Sequence, residues 1–396
     1  MTTYAFVSHE SAVTANWAIA RRGIQLLDDE GVWLIPAPKY CVHTQRQVAE
    51  LAASVDLAAL GIANIPGATS AATCTAPIHL LCPSATSRSR GQLATFHVWK
   101  DFFPEHAFLR VHERVFVSSP LFTVLQLAVA SRPSRRTRQR ATTAAETETR
   151  IRLDLGLQAP DFSDEDLLVW EGIERLATAI KALTDFSGTY RLPSRPGEKT
   201  LYQQPPLVRF ADMRTYLAAE PAMRGAKKVR EVLSRAFEGS ASPMETALAL
   251  MLTLPVEMGG FGLPRPTLNR QVFVEPEDRE LTAADELYGD LSWAPEKSDA
   301  HDGPHVIVEY DGYENHEARG SVQLDHDRER ANSLTALGWD VLSVSDAHVT
   351  NLRRLSRLAA QVARLLGVKL RQPNELELVW RTRLHALLLG KTDPWR

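Results

Sequence analysis

The feature that most restricts what this chain can fold into is the apolar run Val306, Ile307, Val308, followed by Glu309, Tyr310, Asp311 and Gly312. Consecutive β-branched residues do not alternate with polar ones, so a strand made of them has both faces covered, as in a sheet flanked by helices. Glycine then turns the chain, which leaves Glu309 and Asp311 at the carboxyl end of the strand. The flanking segments have matching periods. Val229, Val232, Leu233 and Ala236 fall at helical spacing with Gly239 as the stop, and Ser242, Pro243 and Glu245 open a second helix as N-cap, first position and first turn. Strands are expected at 271–274, 287–293 and 339–344. Leu324, Ala331, Leu334 and Leu337 lie close to one helical face ended by Gly338, and residues 349–366 form a further amphipathic helix. Residues 229–367 are therefore expected to form an α/β layer, with 368–396 as a partly helical tail.

With 396 residues, the chain is too long for one ordinary core. Residues 1–130 read as an α+β N-terminal region, with helices at 7–21 and 44–60, strands at 31–35, 77–82, 94–99 and 111–117, and an apolar helix at 121–130. Residues 131–228 read as a basic linker and helical connector, with an amphipathic helix at 170–183. Arg135 and Arg136 sit in its arginine-rich start. Such a run is most often a solvated linker; its functional alternative is contact with nucleic-acid phosphates.

A hydrophobic content of 44% and a net charge of -3 fit a soluble globular chain and exclude a globally basic nucleic-acid binder, though not local basic faces. Cys41, Cys74 and Cys82 have no paired spacing, which argues against a structural zinc site and fits a reducing cytoplasm. There is no signal-like start and no apolar run of membrane-spanning length, so a cytoplasmic protein with no membrane partner is expected.

The segments SPMET, GLPRPTLNRQV, GDLSW, VIVEYDG, the nearby His316, DRER and LGWDVLSVS occur in an order that resembles the very-short-patch-repair-like endonuclease domains of the PD-(D/E)XK superfamily. The resemblance covers residues 229–367. It implies a restriction-endonuclease-like α/β domain with a central mixed sheet flanked by helices. SHESA and SSPLFTVLQLA more faintly resemble N-terminal regions likened to abortive-infection antitoxins, which implies a protein partner for that region.

The chemistry asks for the same residue types. Phosphodiester hydrolysis needs charge neutralised on the phosphate and hydroxide produced near neutral pH, and a divalent cation held by oxygen ligands supplies both. Mg²⁺, or Mn²⁺ in its place, takes one or two carboxylates. The resemblance puts Asp290 and Glu309 on the family's core acids, as metal ligands, and Glu245 on its helix-borne acid. Glu245 also has a purely structural reading, as the partner in a capping box. Asp311 stands where the wider superfamily has lysine, which leaves the general base unassigned; His316 is a candidate acid or base. Arg319, Arg328 and Arg330 are candidate phosphate contacts. Trp293 and Trp339 read as core residues. The expected activity is a metal-dependent nuclease acting on DNA. The alternative is a non-catalytic nucleic-acid-binding or antitoxin-like regulator built on the same fold. Oligomeric state is not legible.

Overall fold

The computed structural model describes residues 3–27, 41–62, 77–82, 93–99, 103–129, 163–195, 197–219, 222–282, 286–294, 304–312 and 321–390, with the backbone alone described at 164, 167 and 321–328. The chain divides into two compact units, residues 1–132 with 178–234, and residues 133–177 with 235–396. Each is mixed α/β. Residues 131–228, expected as one connector, are thus shared between the units, and the division falls inside the helix Asp164–Phe186.

The first unit holds a five-stranded sheet of β1 (Ala5–Val7), β2 (Ile78–Cys82), β3 (Ala94–Val98), β4 (Phe108–His112) and β5 (Val115–Ser118), in the order β3-β2-β1-β5-β4. β1 runs parallel to β5 and antiparallel to β2. The segment 111–117, expected as one strand, is the β4–β5 hairpin instead, because the polar pair Glu113 and Arg114 turns the chain back on itself. Helix His9–Arg22 follows β1, with Ser8 as N-cap and Gly23 in the left-handed region as C-cap. Its Ala12 and Ala15 pack with Val7, Val48, Leu51, Leu80 and Val115 in the core of this unit. The expected helix at 44–60 stops at Ser54 and resumes as a 3-10 turn at Leu57–Leu60. The short hairpin of β6 (Tyr190–Arg191) and β7 (Leu201–Tyr202) belongs to the same unit. The strand expected at 31–35 lies outside the described residues.

The second unit is built on β8 (Thr267–Val272), β9 (Leu287–Trp293), β10 (Val306–Asp311) and β11 (Asp340–Ser345), ordered β11-β10-β9-β8. β10 is parallel to β11 and antiparallel to β9. Val306, Ile307 and Val308 are all fully buried, as an apolar run without alternation requires. Ile307 packs with Val272, Leu287, Leu334 and Trp339. Trp293 is also buried, its indole N–H donating to the Pro264 carbonyl at 2.7 Å. Helix Pro243–Thr253 is apolar nearly all round and correspondingly buried from Glu245 to Leu252. The helix expected over 349–366 is broken at Asn351, whose side chain caps the longer piece, Leu352–Leu365. Within the tail, Glu375–Leu388 is a helix, and its Trp380 stacks on Trp170 at 5.3 Å between ring centroids. No described helix is long and apolar enough to cross a membrane.

Candidate active site

Register decides which side chains meet. Val306 pairs with Trp293, Ile307 with Ser292 and Val308 with Leu291, so the next step of the antiparallel ladder sets Glu309 opposite Asp290. Directly opposed residues project from the same face of a sheet. On the other side of β9, Leu268 pairs with Leu291 and Arg270 with Gly289, so Asn269 is the residue across from Asp290 there. Asn269, Asp290 and Glu309 thus form one row across β8, β9 and β10. Gly289 lets the strands close beside that row. A methyl group at Gly289 would come within 2.9 Å of the Ile307 Cδ1 and 2.6 Å of the Ser292 hydroxyl.

Glu309 is 3% exposed. One of its carboxylate oxygens takes the Arg330 guanidinium from helix Ser321–Ala336. The other, Oε1, is buried and has no hydrogen-bond partner among the described residues. An unsatisfied buried acceptor of this kind costs about 1–3 kcal/mol, so the site favours either a proton or a cation there. Burial, followed by the charge of Asp290, pushes the Glu309 carboxyl up to about 8 despite the opposing pull of Arg330. Asp290 is raised by burial too, against the Tyr310 backbone N–H, which donates to its Oδ2 at 2.7 Å. Asp311 lies close enough for its charge to raise both.

Glu245 reaches the same place from the first turn of helix Pro243–Thr253. It is 5% exposed, and burial together with the Asp290 charge pushes it up to about 7. The expected capping box forms only by half. The Ser242 hydroxyl accepts from the Glu245 backbone N–H at 3.1 Å, but the Glu245 carboxylate accepts from the Ala241 N–H at 3.0 Å and from the Asn269 amide at 3.3 Å. The carboxylate thus reaches past the N-cap N–H of Ser242 to Ala241 and toward β8. Asn269 itself has φ +46, in the left-handed region where non-glycine residues are uncommon. Its amide spans the Gly239 carbonyl and Glu245. Sequence reasoning did not single out Asn269. The available signal was an asparagine inside an otherwise strand-like segment, since asparagine is among the residues that tolerate the left-handed region.

The structure therefore brings Glu245, Asp290, Glu309, Asp311 and Arg330 together. His316, Arg319, Arg135 and Arg136 lie outside the described residues, as does the side chain of Arg328. Among the described residues, no group of at least three His, Cys, Asp or Glu is arranged as a ready metal cage. An opposed carboxylate pair with an unpartnered oxygen nevertheless fits Mg²⁺ or Mn²⁺, which commonly take one or two protein carboxylates and complete their shell with water and substrate. No protein-family model, curated protein or solved structure matches the chain.

Proposed function

We propose that the second unit is a metal-dependent nuclease that hydrolyses phosphodiester bonds in DNA, on a restriction-endonuclease-like arrangement of β8–β11 and its flanking helices. The observation that carries this reading is the facing pair Asp290, midway along β9, and Glu309, toward the carboxyl end of β10, with the Glu309 Oε1 atom buried and without a hydrogen-bond partner among the described residues. The order of motifs shared with very-short-patch-repair-like domains points the same way. Asp290 and Glu309 would hold Mg²⁺ or Mn²⁺. The bound ion supplies charge neutralisation at the phosphate and a water acidified toward neutral pH.

The chain's own groups do the rest. Glu245, kept close to neutrality in its proton affinity, can take or return a proton at the edge of the carboxylate cluster. Arg330 holds Glu309 and offers a fork of donors that suits a phosphate equally well. Asn269 fixes the Glu245 carboxylate. The absence of a lysine at 311 favours a second reading, a nuclease-derived fold that binds nucleic acid without cutting it.

Purified protein is expected to nick duplex DNA with Mg²⁺ or Mn²⁺, and Asp290→Asn or Glu309→Gln is expected to abolish nicking while circular dichroism shows the fold retained. Equal activity in both variants would exclude this site. DNA binding without cleavage in the unaltered protein would select the second reading.

A further inference from the structure

Helix Leu352–Leu365 of the second unit turns one face inward and the other to solvent. Leu355, Leu358, Ala359, Val362 and Ala363 are buried, whereas Arg353, Arg354, Arg357 and Arg364 are exposed. Residues 347–374 carry Arg353, Arg354, Arg357, Arg364, Lys369 and Arg371 and no Asp or Glu, in a protein whose net charge is -3. Arg371 is taken up by Glu257 and Glu377. Among the described residues, no salt bridge involves any of the four helix arginines.

Local energetics oppose this arrangement. A helix N-terminus carries partial positive charge, which acids stabilise and cations resist. Here the first turn holds Arg353 and Arg354 and no acid, with the Asn351 side chain capping the Arg354 N–H at 3.1 Å. Arg357 is four residues from Arg353 and three from Arg354, so like charges are also neighbours on the helix surface. Residues that work against their own element concentrate at functional surfaces, where a partner offsets the cost.

The spacing indicates the partner. At about 100° and 1.5 Å per residue, Arg353, Arg357 and Arg364 fall within about 40° of one another around the axis and span about 16 Å along it, with Arg354 about a quarter turn away. A DNA major groove is roughly 12 Å wide, so a row of this length reaches the backbones on both sides. Guanidinium forks match phosphate oxygens. A lipid surface suits the helix less well: interfacial helices sink an apolar face into the bilayer, and the apolar face here is already buried within the unit.

We infer that the outer face of helix Leu352–Leu365 docks the phosphate backbone of duplex DNA, with Arg353, Arg357 and Arg364 as phosphate contacts and Arg354 beside them. This docking role rests on the nucleic-acid part of the proposed function and not on cleavage. The carboxylate cluster acts at the scissile bond, and the arginine row holds the duplex without reading its sequence.

Fluorescence anisotropy of full-length protein on two labelled duplexes of unrelated sequence tests this, in excess chelator to prevent cutting and from about 50 to about 200 mM salt. Arg353→Gln/Arg357→Gln/Arg364→Gln is expected to reduce the slope of log affinity against log salt by about 3 and to weaken both duplexes alike, by about 100-fold or more. The matching triple lysine variant keeps the charges and is expected to keep most of the slope. Glutamine is as good a helix former as lysine, so the glutamine variant is expected to melt no lower than the unaltered protein, which separates lost contacts from a lost fold. An unchanged slope in that variant overturns the docking face and leaves the nuclease reading in place. Failure of the unaltered protein to bind either duplex overturns both. Loss of anionic-vesicle binding in the variant, with duplex binding unchanged, would assign the face to lipid and overturn the inference.

Discussion

Glu309 is buried and Asp290 half-buried beside it, and Arg330 pairs with Glu309 to offset their charge. The sign of their pH dependence follows. Glu245 and Glu309 are raised from 4.5 to about 7 and about 8, so the folded state holds protons that the unfolded chain releases. Their contribution to stability is present below pH 4.5 and is lost as pH rises through 7 and 8. The metal-free protein is therefore expected to lose melting temperature from pH 5 to 8.5, and Glu309→Gln to flatten that slope. A melting series by differential scanning fluorimetry in a chelator reads this directly. In activity, Glu309→Gln removes an interaction worth several kcal/mol, which is a loss of about a thousand-fold or more in single-turnover nicking. Asn269 offers a separate residue-scale test. Asn269→Ala loses the bonds to Gly239 and Glu245 while keeping a side chain at φ +46; Asn269→Gly loses the same bonds but relaxes the backbone. The alanine variant is expected to be less stable than the glycine variant by about 1 kcal/mol in urea unfolding.

At the level of elements, the site depends on how β9 meets β10 and how helix Pro243–Thr253 begins. Gly289→Ala places a methyl group against Ile307, and overpacking of this kind costs about 1–3 kcal/mol. It is expected to lower both stability and Mg²⁺ affinity, because the strands that carry Asp290 and Glu309 are pushed apart. Ser242→Ala removes the N-cap bond to the Glu245 N–H and is expected to cost about 1 kcal/mol in chemical denaturation. The elements were largely legible. Ser242 and Pro243 announced their helix, Gly338 its end, and Val306 to Val308 their strand. Boundaries failed where a polar pair made a turn, at Glu113 and Arg114, and where Asn351 restarted a helix that amphipathic spacing alone carries straight through.

Across the whole molecule the largest carboxyl shifts run in opposite directions in the two units. In the first, Glu10 and Glu198 are both held down to about 2; burial opposes this, and His79 for the one, the Ser194 amide and Arg22 for the other, overcome it. Such acids stabilise above pH 4.5 and lose that contribution as pH falls toward 2. In the second, Glu245 and Glu309 lose theirs as pH rises. Acid is therefore expected to melt the first unit earlier and alkali the second. Trp17 and Trp99 are buried in the first unit and Trp170, Trp293, Trp339 and Trp380 in the second, so single-tryptophan variants followed by fluorescence distinguish the two transitions. Coincident transitions at pH 4 and pH 8.5 would contradict the opposition.

What the sequence determined by itself was local. Periodicity, caps and glycine stops are read from neighbouring residues, and they sufficed to place β10, its acids and most of the surrounding helices. That Asp290 and Glu309 form one pair was suggested by residue type and motif order, and only the antiparallel register of β9 on β10 put them on the same face. Tertiary structure alone added Asn269 to the row, turned the Glu245 carboxylate toward it and brought Arg330 onto Glu309. It also set His79 against both Glu10 and His97, which are far from it along the chain. Strand pairing and helix packing act between residues with no sequence spacing to reveal them, and burial, which sets the proton affinities of these acids, exists only once the chain has closed around them.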